Sequence, residues 1–218
     1  MITPLNLIDI TIGLSGHADA LIHRLSLTVQ PGEVATVMGP SGSGKSTLLS
    51  FVSGHLPANF RATGRVEAGG RDVTSLPAER RRVGILFQDD LLFPHLSVGD
   101  NLAFGLAPSV TGAHRRRATI DDALESAGLA GFAGRDPASL SGGQRARVAL
   151  LRSLLAEPAA LLLDEPFSRL DASLRDEFRA YVFDTVRSRG LPVLMVTHDA
   201  DDAAAARGPV VRIDQHGG

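Results

Sequence analysis

Gly39-Pro40-Ser41-Gly42-Ser43-Gly44-Lys45-Ser46-Thr47 decides how this chain is read. Before it stands an apolar run, Val34-Ala35-Thr36-Val37-Met38, with the length and character of a buried strand. After it, Leu48-Leu49-Ser50-Phe51-Val52 continues as a helix. Strand, glycine-rich turn and helix are the context that a phosphate-binding loop requires. Glycines let the chain curl so that successive backbone N–H groups converge on one anion. A helix that starts near Lys45 adds unpaired N–H groups and the positive end of its dipole. In this pattern Lys45 places a charge between the β- and γ-phosphates. Ser46 offers a hydroxyl to Mg²⁺, and Thr47 reaches the α-phosphate. A Gly/Ser linker is the competing account, and the flanking strand and helix argue against it. The expectation is a chain that binds a nucleoside triphosphate.

Working outward, 218 residues suffice for one domain with a full core. The 22 basic and 24 acidic side chains nearly balance, so nothing electrostatic points to a nucleic-acid partner. The chain has no cysteine, which excludes disulfides and cysteine-ligated metals and suits a reducing cytosol. Met1-Ile2-Thr3-Pro4-Leu5 lacks the basic start and apolar core of a secretory signal. No apolar run reaches the roughly 18 residues of a membrane span. The richest, Val148 to Leu163, is broken by Arg152, Glu157 and Pro158.

Strands are expected at 5–12, 25–29, 64–69 and 83–87 beside the loop strand. From about 97 to 133 the pattern turns helical. Ser97 fits an N-cap, and Ile120, Ala123, Leu124 and Ala127 form one apolar stripe. The α/β alternation then returns: a helix over about 142–157, a strand at 160–163, a helix over 172–189, a strand at 193–196, a short helix and a strand at 210–213. Strands alternating with helices predict a mostly parallel sheet covered on both faces.

Leu161-Leu162-Leu163-Asp164-Glu165 delivers two carboxylates at the C-terminal end of a buried strand, where ligands bind in open α/β sheets. Asp164 suits Mg²⁺, and Glu165 suits polarising the water that attacks the γ-phosphate. Leu140-Ser141-Gly142-Gly143-Gln144 is a second anion-binding helix start, a serine cap followed by glycines with open N–H groups. With this stretch upstream of Asp164, the chain resembles the ATP-binding subunits of ABC transporters. The resemblance covers about Leu5 to Ile213.

That resemblance implies an α/β P-loop NTPase core in one domain, 1–218. The core would take about 1–88 and 140–218, with an N-terminal antiparallel β subdomain and an inserted α-helical subdomain at about 89–139. It implies a Q-loop glutamine at Gln88, touching Mg²⁺ and the attacking water, and a switch histidine at His198. Ser168-Arg169-Leu170-Asp171 is similar to the D-loop, which crosses to a partner subunit, although Arg169 replaces a small residue. Ser141, Gly142, Gly143 and Gln144 would complete a neighbouring copy's ATP site. The implied catalytic set is Lys45, Gln88, Glu165 and His198. Ser46, Gln88 and Asp164 are the implied metal set.

The resemblance departs from its pattern at the base. Family members carry an aromatic residue before the loop that stacks on adenine, and here no Phe, Tyr or Trp precedes Phe51. Two readings stay open: His17 stacks weakly, or the base rests on aliphatic groups. Two also stay open for Asp89 to Leu96: a cleft for a membrane partner's helix, with Leu92 and Phe93 in its lining, or packing of the helical lobe. By resemblance, the chain is an ATPase of a bacterial solute importer. It would dimerise head to tail around ATP and Mg²⁺, beside separate transmembrane permease subunits and a solute-binding protein, on the cytoplasmic face of the inner membrane. The end at Gly218 is expected to leave no room for a further regulatory domain. The alternatives are a soluble ABC ATPase acting on nucleic acid or ribosomes, and a scaffold without turnover.

Overall fold

A computed structural model describes residues 2–17 and 19–213; the end at Gly218 lies outside the described residues. In chain order the elements are β1 (Leu5–Leu14), β2 (Ala20–Val29), β3 (Val34–Met38), α1 (Lys45–Ser53), β4 (Phe60–Ala68), β5 (Arg71–Asp72), α2 (Ala78–Arg81), β6 (Val83–Leu86), α3 (Val98–Phe104), α4 (Ala113–Ser126), a 3-10 turn (Pro137–Ser139), α5 (Gly142–Leu155), β7 (Ala160–Asp164), α6 (Ala172–Arg189), β8 (Val193–Thr197), α7 (Ala200–Ala206) and β9 (Val210–Arg212).

Strands β6-β7-β8-β3-β9, in that order, form one parallel sheet. Its central strands β3, β7 and β8 are mostly apolar and buried at every position but Asp164, because helices or a second sheet cover both faces. Successive side chains alternate between two cores. Ala35, Val37, Leu162, Leu194 and Val196 pack with Leu48, Leu49 and Val52 of α1 and with the antiparallel sheet. Leu161, Leu163, Val193 and Met195 pack with α5 and α6 on the other side. There the Phe167 ring meets Phe178 and Phe183 edge-on at 5.8 Å each.

The second sheet, β2-β1-β4-β5, is antiparallel, and its strands extend beyond their apolar runs. Gly13 pairs with Ala20 and Leu14 with Phe60, so the ladder continues through a glycine to the ends of the strands. Register shifts between Leu7 and Ile12 break the strict alternation that sequence periodicity detects. Asp9 adopts φ 52° and Arg24 φ 48° there, and Arg24 Nε donates to Asp9 Oδ1 at 3.3 Å. Gly64 faces this bulge with φ 104°. A Cβ on Gly64 would stand 2.7 Å from the Asp9 carbonyl oxygen, so the site admits no side chain.

The helical lobe packs α3 and α4 around Val98, Leu102, Ile120, Leu124 and Leu129. Helix α5 belongs to two cores at once: Val148 and Leu151 face the lobe, while Ala149, Leu150 and Leu154 face the sheet. A boundary drawn at residue 140 therefore falls just ahead of a shared helix. Buried Asn101 fixes the segment leading into the lobe. Its amide donates to the carbonyls of Phe93 (3.1 Å), Leu96 (3.3 Å) and Ser97 (3.0 Å), and its Oδ1 accepts from Phe93 N at 2.8 Å.

Candidate nucleotide site

Parallel pairing brings the singled-out residues to one edge of the sheet. Leu86 is level with Leu163, and Leu163 with Met195. Gln88 follows two residues after Leu86 and Glu165 two residues after Leu163, so the loops that carry them leave neighbouring strands at the same edge. Met38 pairs with Thr197, so Gly39 and His198 emerge together one step later. This C-terminal edge is where the chain turns from strands into loops and where backbone N–H groups stand free for a ligand.

The loop closes tightly. Gly44 takes φ 92° as the residue before α1, a conformation that side-chain-bearing residues rarely adopt. A Cβ on Gly39 would lie 2.5 Å from the Ile213 carbonyl oxygen, so the loop is seated directly on the chain after β9. Lys45 is buried, and its Nζ donates to the carbonyls of Gly39 and Pro40 at 2.8 Å each. The ammonium is thereby held inside the curve of the loop, beside any anion the N–H groups bind. Ser41, Gly42, Gly44, Lys45, Ser46 and Thr47 line a cavity of about 500 Å³ together with Glu165.

Ser46 Oγ donates to Asp164 Oδ1 at 3.0 Å, joining groups 118 positions apart. Burial raises the Asp164 pKa above the ordinary carboxylate value. The Ser46 bond and Lys45 oppose that shift, and Glu165 adds to it. A carboxylate that loses hydration in this way gains from a cation beside it. Two hard oxygen donors this close suit Mg²⁺, which takes one or two protein oxygens and completes its shell with phosphate and water.

Glu165 Oε1 lies 3.2 Å from His198 Nδ1. Glu165 is at φ 45°, and its N–H donates to the Val196 carbonyl at 3.0 Å, which ties the turn after β7 to β8. The next turn is fixed by Ser168 Oγ, which donates to the Glu165 carbonyl at 2.9 Å. Asp171 caps α6, its Oδ1 accepting from Leu174 N at 3.0 Å. Gln88 is exposed just past β6.

The serine-capped helix start is built elsewhere. Ser141 Oγ accepts from Gln144 N at 3.3 Å, while Ser141 N donates to Gln144 Oε1 at 3.0 Å, a reciprocal capping box. Ser141, Gly143 and Gln144 line a separate cavity with Arg147, Leu174 and Glu177. No residue lines both this cavity and the one at the phosphate loop.

His17 is exposed, and the wall of the phosphate-loop cavity is formed by Leu14, Leu21 and Phe60. Sequence reading missed these three. Phe60 follows the loop in the chain and returns to it only through the pairing of β4 with β1. It also missed two arginine ties on the turn after Gln88. Arg145 Nε donates to Asp90 Oδ2 at 3.2 Å, and Arg152 Nη1 donates to the Leu91 carbonyl at 2.8 Å.

A phosphate loop, a strand-end acidic pair and a remote serine-capped helix on one α/β core define an ATP-binding cassette. The sequence profile of the ABC transporter family matches residues 22–168. An uncharacterised ABC transporter ATP-binding protein of Escherichia coli K12, YnjD, is 54% identical over 185 residues, 85% of either chain. The Fe(3+) ions import ATP-binding protein FbpC of Agrobacterium fabrum is 45% identical over 190 residues. That match covers 87% of this chain and 53% of the relative, so the chain spans about half the relative's length. The solved ATP-binding cassette MJ0796, a dimer in a post-hydrolysis state bound to ADP and Pi, superposes with a TM-score of 0.78 at 28% identity. That superposition covers 96% of this chain and 94% of the other. The chain belongs to the ABC transporter family, as an ATP-binding, ATP-hydrolysing subunit.

Proposed function

We propose that two copies pair head to tail, each closing the other's nucleotide site, and that the cycle of pairing and separation drives a solute importer. The observation that carries this reading is the separation of the two anion-binding helix starts. The loop at Lys45 and the cap at Ser141 line different cavities of one chain, so one triphosphate meets both only across two copies. The Ser141 and Gly143 N–H region of one copy then covers the γ-phosphate held by Lys45 of the other. Pairing is strongest while the γ-phosphate is present and relaxes when it leaves.

Within one site, the loop N–H groups and Lys45 hold the phosphates in line. Ser46 and Asp164 would hold Mg²⁺, with Gln88 on the loop that leaves the adjacent strand β6. When bound, the metal would supply charge neutralisation at the phosphates. Glu165 accepts the proton of the attacking water. His198 orients Glu165 through their 3.2 Å contact and faces the γ-phosphate position.

Among the described residues no helix is long and apolar enough to cross a membrane. In this reading the spanning subunits are separate chains, and this subunit works at the cytoplasmic face of the inner membrane. Phe87, Leu91 and Phe104 are exposed large apolar residues at the junction of core and lobe. The Phe104 ring meets Phe93 edge-on at 4.9 Å. This patch suits a short apolar helix of a permease. Leu92 instead packs inward against both the sheet core and the lobe core. Cargo crosses through the permease, and a solute-binding protein delivers it. The relatives with iron-import names support import as the direction.

The chain has no cysteine, so Ser41→Cys and Ser141→Cys placed in one chain report the pairing directly. Oxidation with Mg-ATP is expected to give covalent dimers, and without nucleotide few. Cross-linking confined to single chains would overturn the head-to-tail reading.

A further inference from the structure

We propose that Phe60 is the base platform of the nucleotide site, stacking on purines without telling adenine from guanine. The inference rests on the phosphate-loop reading of the cavity above. That cavity has two chemically different ends. One is the loop with Lys45, Ser46 and Thr47. The other is Leu14, Leu21 and Phe60. Phe60 is the one aromatic residue lining it.

The apolar end is fixed to the loop and not a separate surface. A Cβ on Gly44 would stand 3.3 Å from Leu21 Cβ and 3.5 Å from Ile22 Cγ1, so the start of β2 lies directly on the loop. Leu14 ends β1 opposite Phe60, and the Ser15 N–H donates to the Asn59 carbonyl at 2.8 Å. The Arg61 guanidinium donates to the His17 carbonyl, tying the β1–β2 turn to β4. Leu14, Leu21 and Phe60 therefore line the cavity from three paired strands, one of which, β2, lies directly on the phosphate loop. Phe60 itself is half-buried and packs on the core, with its N–H donating to the Pro57 carbonyl at 3.0 Å.

A ring and two leucines offer a flat apolar contact and no polar side chain. Stacking uses the π-face that every base has, and it is worth about a tenfold to hundredfold gain in affinity per aromatic ring. Discrimination between bases needs donors and acceptors placed at their edges. None of the three side chains at this end has either. ATP and GTP should thus bind alike, and CTP, with its smaller face, more weakly. The aromatic contribution missing before the loop is supplied by a strand that comes after it.

The test compares ATP, GTP, CTP and inorganic tripolyphosphate, each with Mg²⁺, on the full chain and its variants. Phe60→Ala is expected to weaken ATP and GTP about tenfold and leave tripolyphosphate unchanged. His17→Ala should change none of them. Phe60→Trp adds the chain's one tryptophan, and its emission should be quenched by ATP and not by tripolyphosphate. Wild-type ATP affinity in Phe60→Ala would overturn the platform. So would equal weakening of ATP and tripolyphosphate, which marks Phe60 as a folding residue. A wild-type preference for ATP over GTP beyond about tenfold would overturn the tolerance. A wild-type chain that binds neither ATP nor tripolyphosphate would overturn the loop reading as well, a result distinct from the others.

Discussion

Asp89 and Arg169 form an ion pair within one chain, joining the turn after Gln88 to the turn that ends at Asp171. Asp89 follows Gln88, and Arg169 sits between Glu165 and the cap of α6. Both side chains are more than half exposed, so the pair contributes at most about 1 kcal/mol to folding. Its consequence is positional. The reversals Asp89→Arg and Arg169→Asp should each leave thermal stability nearly unchanged and lower steady-state ATP hydrolysis several-fold. The swap carrying both should recover hydrolysis. No recovery in the swap would show that the two turns are not coupled through this contact.

Glu165→Gln keeps the shape of the side chain and removes its basicity. Loss of a general base costs about 10²–10⁴-fold in rate. Hydrolysis should fall by that amount while ATP still binds, so the paired state accumulates. Size-exclusion chromatography with saturating Mg-ATP should show a dimer. A variant that elutes as a monomer at every protein concentration refutes nucleotide-driven pairing.

His198→Ala removes the group 3.2 Å from Glu165. If the ring orients the carboxylate and meets the γ-phosphate position, kcat should drop about 10²-fold with little change in KM for ATP. A rise in KM with kcat intact would instead make His198 a binding residue.

Arg81 is a structural prediction of a different kind. Its guanidinium is buried and donates to the carbonyls of Phe51 (2.8 Å), Val52 (3.0 Å), Leu76 (2.8 Å) and Thr74 (2.6 Å). It thus satisfies the last carbonyls of α1, the helix that begins at the phosphate loop. Burial lowers its pKa, yet guanidinium stays protonated in proteins. Arg81→Met removes a donor from all four carbonyls, of which Phe51 keeps the Gly54 N–H, and should destabilise the chain by about 3 kcal/mol, or roughly 6–12 °C in Tm. Calorimetry measures this directly. A shift below about 2 °C would mean that water satisfies the carbonyls.

Leu91→Asp and Phe104→Asp place charge in the exposed apolar patch at the lobe. Basal hydrolysis by the isolated subunit should be unchanged, whereas transport with the permease should fall at least tenfold. Unchanged transport would move the docking surface elsewhere. Leu92→Asp is expected to lose stability as well, because Leu92 packs into both cores.

The form of the phosphate loop was legible because it is local. A loop that converges its own N–H groups, with Lys45 and Ser46 at the start of the following helix, is encoded in one short stretch. The same holds for the Ser141–Gln144 capping box, which spans a single turn of helix. Strand ends carrying Asp164, Glu165 and His198 were readable because fully buried strands are short, continuous apolar runs. Strand β2 was read only from Leu25 because the bulge at Arg24 interrupts its alternation, β4 only from Gly64, the residue that faces the bulge at Asp9, and β1 only to Ile12, just before Gly13.

What the sequence alone determined is the set of groups proposed for the triphosphate site and the order in which the chain delivers them. Tertiary structure decided which distant residues share a space. The Ser46–Asp164 contact spans 118 positions, and the Leu14–Phe60 wall and the Asp89–Arg169 pair exist only through strand pairing and loop packing. The physical reason is one of range. Backbone curvature, caps and helix ends arise from neighbours along the chain, whereas a base platform or a cross-turn ion pair depends on how whole sheets and helices settle against one another.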